Sequence, residues 1–366
     1  MSKIKDVIVE YYRIPLPELV SDAKHGVHTH FEVPIVKIQT EEGIEGVGYT
    51  YTGGFGGRSI SKLIEVELRN VLLGKDADCV EDLWEQMQTG IHYVGHGGLA
   101  SFAISAVDIA LWDIRCKKAG LPLWKILGGH NREVKAYGGA IDLAFPLEKL
   151  LKHHKNYLDM GLTAIKIKLG QKRLSDDIAR VKALRDMIGP NVEFMVDANM
   201  SWTVEYAIRA ARELLKYDIV FLEEPIDPNN YEGHRIIADR TGMAIAAGEN
   251  LRTPKEFEHI IKYGKIDFPQ PDASNVGGIT GFMKVAHIAQ VNDLKVSTHG
   301  MQELHVSLLA ALPNAGYLEV HSFPIDQYTK RPLVINKETH RAVAPDTVGI
   351  GVEFDFEKLK PHRSNF

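Results

Sequence analysis

From about residue 134 the chain repeats one pattern: a short apolar run that closes on polar residues, then a stretch of apolar positions at helical spacing. The runs are VKAYGGA (134–140), TAIKIK (163–168), EFMVDAN (193–199), IVFLEEP (219–225), MAIAAGEN (243–250), IDFPQPDAS (266–274), LKVSTHG (294–300) and YLEVHS (317–322). Periodicity predicts strands there, and helices over 147–159, 174–188, 203–216, 230–240, 254–262, 279–291 and 303–312. Strands alternating with helices specify a parallel α/β fold, and eight units are the count of a (β/α)8 barrel. A doubly wound sheet is the other arrangement with this alternation, but no GxGxxG follows any of these strands.

The second run sets a demand on its neighbours. In AIKIKLG, Ile165, Ile167 and Leu169 alternate with Lys166 and Lys168, so both lysines leave the strand on one side. Two unpaired ammonium groups are tolerable on an exposed edge and costly in a core. A strand between two βα units is not an edge, so the lysines need anionic partners. Asp197, Glu223 and Glu249 close the next three runs at intervals of 26 residues, close to the length of one βα unit. In a barrel such strand ends converge on one mouth. Three carboxylates gathered there repel unless a cation holds them, and three oxygen donors with room for water suit Mg²⁺. No Cys/His cluster offers a zinc site. A lysine beside a divalent cation and a second lysine is expected to have a lowered pKa, which makes one of the pair a general base. The last three runs end at Asp272, His299 and Glu319. An Asp bonded to a His fixes its tautomer and raises its basicity, so Asp272–His299 reads as a second acid/base facing the lysines across the mouth. Any one of these residues alone is as well explained as a structural group. The joint pattern at the strand ends carries the functional reading. Glu224 is expected on the other side of its strand in a structural role, and His321 receives no assignment.

Ahead of the repeat, residues 4–13 and 32–39 alternate as strands, and EEGIEGVG (41–48) reads as a turn with its return strand. Between the first two, PLPELVSDAKHGVHTH (15–30) reads as a long polar loop, and YTYTGGFGG (49–57) as a glycine-rich one; long loops in compact domains are usually functional or disordered. Helices are expected over 60–73, 80–89 and 98–118, the last ending at Gly120 before Pro122. The tail, 323–366, is expected to pack back on the N-terminal part, since the barrel is complete without it. With 45% hydrophobic and 25% charged residues, the 366-residue chain is composed like a globular protein with a sizeable core. A formal charge of −5 gives no basis for binding nucleic acid or an anionic membrane. No run of 18 apolar residues forms a membrane span. The opening MSKIKDVIVEYYRIPL reads as a strand and not as a signal peptide, and Cys79 and Cys116 read as reduced thiols, so a cytoplasmic location is expected.

These motifs together resemble the enolase superfamily, in its mandelate racemase-like subgroup. The resemblance covers nearly the whole chain: AISAVDIALWDIRCKKAGLPLWKILGG (103–129), the KxK at 166–168, VDAN (196–199), EEP (223–225), GEN (248–250), QPD (270–272) and THG (298–300). It implies an α+β capping domain (1–130), a modified (β/α)8 barrel carrying the site (131–322), and a C-terminal segment packing on the cap (323–366). It implies one Mg²⁺ on Asp197, Glu223 and Glu249. Lys168 is then a base, with Lys166 supporting it and touching the substrate carboxylate. Asp272–His299 is the opposite base, Glu319 donates to the carboxylate as it becomes an enediolate, and Asn199 contacts substrate. The shared chemistry is abstraction of the proton α to a carboxylate. Loss of a β-hydroxyl then makes a dehydratase; reprotonation from the other face makes a racemase or epimerase. Cycloisomerases and dipeptide epimerases of the superfamily place a lysine on the sixth strand, and QPDASNVGG has none, which argues against those classes. SDAKHGVHTH covers the site by resemblance, and its Lys24, His25, His28 and His30 suit a polyhydroxylated acid, with Lys24 against a second carboxylate. SDAK and GVGYTYT (46–52) also look like the talarate/galactarate dehydratase branch. The expectation is an acid-sugar dehydratase, with a racemase/epimerase as the alternative and a non-catalytic binding protein as the remote one. Relatives imply a homo-oligomer, often an octamer.

Overall fold

The computed structural model describes residues 2–366. A four-stranded antiparallel sheet opens the chain: β1 (Ile4–Asp22), β2 (Gly26–Thr40) and β3 (Glu45–Tyr49), with the C-terminal Arg363–Ser364 paired to β1. The helix Gly98–Ala119 lies across it. Alternating Gly46 and Gly48 permit this: a Cβ on either would stand 2.2 Å or 2.1 Å from the carbonyl oxygens of Ala110 and Ala106.

The segment expected as a polar loop, 15–30, is a continuation of β1 and β2 as a hairpin. Pairing resumes at Val20↔His28 and ends at Asp22↔Gly26, after an irregularity between Pro15 and Val20. Pro15 and Pro17 sit at that irregularity, where a missing N–H costs the ladder nothing. Asp22 closes the tip by accepting the backbone N–H groups of Lys24 (2.9 Å) and His25 (2.7 Å).

The barrel strands are β4 (Glu133–Gly139), β5 (Ala164–Lys168), β6 (Glu193–Asp197), β7 (Ile219–Glu223), β8 (Ile245–Ala247), β9 (Phe268–Pro269) and β10 (Tyr317–Val320), parallel in chain order, with β10 paired back to β4. The expected strand at 294–300 is irregular, with one isolated bridge, Val296↔Ala315. It still closes the circle, because Ser297 N–H donates to Pro269 O (3.0 Å) and Thr298 N–H to Tyr317 O (3.0 Å). Helices Leu147–Asp159, Leu174–Ile188, Val204–Leu214, Tyr231–Thr241, Pro254–His259, Gly278–Val291 and Gln302–Ala311 follow the strands. In the tail, β11 (Val334–Asn336) and β12 (Arg341–Val343) form a hairpin whose second strand pairs antiparallel with the start of β4. Gly349 and Ile350 bond to Leu121 and Asp113 beneath the long helix.

Inside the barrel the side chains form layers. Tyr137, Ala164, Met195, Phe221, Ala246 and Tyr317 make an apolar floor. Two residues further along β5, β6, β7 and β10 stand Lys166, Asp197, Glu223 and Glu319, each at most 1% exposed. Period-2 alternation thus places a charged layer directly on an apolar one.

Candidate active site

Strand β5 is buried throughout, and the lysines find their partners within the charged layer. Lys166 Nζ lies 2.6 Å from Glu223 Oε2 and 2.9 Å from Glu319 Oε1. Lys168 Nζ bonds Asp197 Oδ2. Burial acts to lower both ammonium pKa values, but Glu223 and Glu319 around Lys166, and Asp197 beside Lys168, outweigh it, and both rise above the ordinary lysine value. The lowered value expected from the sequence is that of a lysine beside a bound cation; here the direct Lys168–Asp197 pair sets the balance.

Asp197, Glu223 and Glu249 each offer a carboxylate oxygen, the three lying within 4.8 Å of one another. Burial and the Asp197 charge push Glu223 up to about 8 despite Lys166. Glu249 goes the other way: burial raises it, but His299 and Lys168 hold it below the ordinary value. Glu223 Oε1 and Glu249 Oε2 are buried without a hydrogen bond; His299 Nε2 is 3.3 Å from the latter but misaligned. Buried carboxylate oxygens gathered without donors fit a hard divalent cation. Asn199 is held by Asp197, its N–H 2.7 Å from Oδ1, and its own Oδ1 is also unpartnered. Glu224, expected on the other side of its strand in a structural role, lies against this group. Its φ is +33°, Asn250 Nδ2 donates to it (2.7 Å), and burial plus Glu249 raise its pKa. Asn199 and Met200 after β6, Glu224 after β7 and Met301 after segment 294–300 all take the left-handed region at the strand ends of this mouth. Such strain clusters at functional sites.

Across the mouth, His299 Nδ1 donates to Asp272 Oδ2 (3.0 Å) and presents Nε2 toward Glu249. Burial opposes protonation of His299, but the Glu249 and Asp272 carboxylates prevail and raise it to about 10. Tyr51 Oη donates to the same Asp272 oxygen (2.9 Å) and lies 3.2 Å from His299 Nδ1. Gly300 N–H donates to Glu319 Oε2 (3.0 Å), and Lys166 holds Glu319 below the ordinary value against burial.

Lys168, Asn199, Glu249, Asp272 and His299 line one cavity of about 390 Å³. The β1–β2 hairpin contributes Asp22, Val27 and two imidazoles, His25 and His28, that both bond Asp22 (3.2 and 2.9 Å). Lys24 is exposed and outside the lining, and His30 points to Arg13 and Thr29. The hairpin is docked by Leu143 N–H to Ser21 O (3.1 Å) and by Glu18–Lys149. Ala23 rests on Gly170, where a Cβ would stand 2.4 Å from the Ala23 Cβ. Three residues escaped the sequence reading. Tyr51 stands two residues beyond Tyr49, where β3 ends, and the Tyr49–Glu303 and Tyr51–Asp272 bonds repeat that spacing, a signal the glycine-rich texture hid. Arg252 lies over Phe102 and bonds Glu249 O and Asn250. Asp142 accepts the Lys168 backbone N–H (3.0 Å), His154 Nε2 (2.8 Å) and Arg180 Nη2 (3.3 Å).

Comparison with known proteins gives the class. Residues 8–128 match the mandelate racemase/muconate lactonizing enzyme N-terminal domain, and 149–359 the enolase C-terminal domain-like family. The chain therefore belongs to the mandelate racemase/muconate lactonizing enzyme group of the enolase superfamily. It is 42% identical to a 3,6-anhydro-α-L-galactonate cycloisomerase of Streptomyces coelicolor, over 97% of this chain and 98% of that one. It is 37% identical to the L-talarate/galactarate dehydratase of Salmonella typhimurium, over 84% and 78%. A racemase from Streptomyces coelicolor, solved with bound magnesium, superposes with a TM-score of 0.96 at 42% identity, covering 99% and 100%. L-Talarate dehydratase from Polaromonas, complexed with Mg and L-glucarate, gives 0.94 at 32%, covering 100% and 98%. The missing sixth-strand lysine argues against cycloisomerases, yet one of these relatives is named as one. Among the described residues no helix is long and apolar enough to cross a membrane.

Proposed function

We propose that this protein is a Mg²⁺-dependent enzyme that removes the α-proton of an acid-sugar carboxylate and expels the β-oxygen. The observation that carries the reading is one cavity flanked by Lys168 on one side and the Asp272–His299 pair on the other, with three buried carboxylates between them. Asp197, Glu223 and Glu249 would hold the cation, which when bound would supply positive charge for the substrate carboxylate and its enediolate and would compete with the lysine ammonium groups for Asp197 and Glu223. Lys168 Nζ, as the amine, takes the proton from C2, and the C–H electron pair becomes the enediolate double bond. Lys166 and Glu319 stand beside the carboxylate oxygens as charge gathers there. The C3–O bond then breaks and its oxygen takes a proton from His299 Nε2; the resulting enol takes a proton at C3 and releases the one on its C2 oxygen, which gives the 2-keto-3-deoxy acid. Asn199 orients the bound acid.

This sequence joins the two kinds of relative. If the C3 oxygen is a hydroxyl, water leaves and the enzyme is a hydro-lyase. If it is a ring ether, the oxygen stays tethered and the result is an isomerisation. The dehydratase remains the first reading. The 42% relative named as acting on 3,6-anhydro-α-L-galactonate favours the ring ether as the second. A racemase or epimerase uses the same two bases without C–O cleavage. The test is incubation with Mg²⁺ and galactarate, L-talarate, arabinonate, rhamnonate or 3,6-anhydro-L-galactonate, read by NMR for a 2-keto-3-deoxy product. A keto acid from any of them supports elimination. Inversion without elimination moves the assignment to a racemase.

A further inference from the structure

His321 lies outside every role assigned above, yet it faces the reaction. It follows Glu319 by two residues, past the end of β10, lines the same cavity and is 9% exposed. Its ring centroid is 5.1 Å from that of His299 at an interplanar angle of 66°, and it rests edge-on against Phe323 at 4.8 Å. The backbone N–H of Phe323 lies 3.1 Å from Nδ1 and can only donate, so Nδ1 must accept and the ring proton sits on Nε2. Among the described residues Nε2 has no protein hydrogen-bond partner, and it is not sealed from the cavity. Burial, together with the positive His299, holds the imidazole neutral, its pKa pushed down to about 3 despite Glu319. Next to the His299 imidazole stands a second one whose Nδ1 is occupied as an acceptor and whose Nε2–H is left for the cavity.

Resting on the elimination reading above, we propose that His321 is a further catalytic residue, donating an Nε2–H hydrogen bond to the departing β-oxygen of the substrate beside His299. His299 transfers the proton; His321 keeps its own and meets the charge that develops on oxygen as the C–O bond lengthens. A fixed neutral donor suits this role, because a second imidazolium would repel His299 and a carboxylate would repel the leaving oxygen.

Two measurements decide it. With histidine labelled in ¹⁵N, NMR of the wild-type protein should show His321 neutral and protonated at Nε2 through pH 5–8; protonation at Nδ1 overturns the proposal without any substrate. With Mg²⁺ in D₂O and the acids named above, His321→Phe should lower keto-acid formation about 100-fold, while recovered substrate gains α-deuterium because enediolate formation continues. His321→Gln, which restores an N–H, should recover part of the elimination. Proton exchange and elimination falling together in both variants, or elimination unchanged in His321→Phe, contradicts the proposal. Wild-type enzyme that neither exchanges nor eliminates any of these acids overturns the proposed function instead, and the tautomer result still stands apart from it.

Discussion

Asp142→Ala should be among the most damaging single changes outside the proposed metal-ligand and base positions, and the structure says by how much. Asp142 is fully buried and carries three donors: the Lys168 backbone N–H, the His154 imidazole and the Arg180 guanidinium. Arg180 is itself 8% exposed, so the substitution leaves a buried cation without its anion. Removing one partner of a buried ion pair costs about 3–5 kcal/mol. A 366-residue chain unfolding as one unit has an unfolding entropy of about 0.8 kcal/mol/K. The melting midpoint should therefore fall by roughly 4–7 °C. Function should suffer as well, because the same residue pins the strand that bears Lys168 and forms the bridge to Ser21 that docks the hairpin. A displacement of that lysine by about 1 Å would cost on the order of 100-fold in kcat. The assay is thermal unfolding by circular dichroism beside steady-state kinetics, with Asp159→Ala as the reference. Among the described residues Asp159 pairs only with Lys155, on the surface, at 61% and 63% side-chain exposure, and an exposed pair is worth less than about 1 kcal/mol. If Asp142→Ala melts no lower than Asp159→Ala, the buried-node argument is refuted.

Other substitutions test separate parts of the account. Burial, with Asp326 adding to it, pushes Glu303 up to about 8. The native state therefore holds that proton more tightly than the unfolded chain. Its stabilisation is complete below about pH 4.5 and lost as pH rises through about 8, a span worth about 5 kcal/mol. Glu303→Gln should flatten stability between those limits in denaturant titrations, and an unchanged slope would contradict it. Tyr51→Phe removes one of two side-chain donors on Asp272 Oδ2 and should lower kcat more than it raises KM; equal binding loss with unaltered kcat would show Tyr51 to be a substrate contact only. Gly170→Ala places a methyl 2.4 Å from Ala23, at a φ of +116° that disfavours any side chain. Hydrogen exchange at residues 20–28 should accelerate, and protection equal to wild type would show that the hairpin does not depend on this contact.

The site was more legible than its surroundings, for a physical reason. Side-chain alternation with period 2 and a common strand length bring Lys166, Asp197, Glu223 and Glu319 into one layer, so sequence spacing maps directly onto spatial convergence. Hairpin 15–30 was not legible, because its prolines and polar residues read as a loop while its pairing partners lie on the adjoining strand. Segment 294–300 has a strand's composition, but its hydrogen bonds to Pro269 and Tyr317 close the barrel without regular pairing. Tyr51 and Asp142 acquire their roles from partners 221 and 26 residues away, separations that no helix or strand period reports. Lys24 shows the converse: a charge suited to a substrate carboxylate, turned outward by the tip geometry that Asp22 imposes.

The most direct test of the central claim compares wild type, Lys168→Ala and His299→Asn with Mg²⁺ in D₂O, following the α-proton and the keto product of the same acid-sugar panel by proton NMR. The account predicts a 2-keto-3-deoxy product from wild type, and loss of its formation by more than about 100-fold in each variant. Turnover left intact in both variants would contradict it, because the two groups that face each other across the cavity would then not be the ones that move protons.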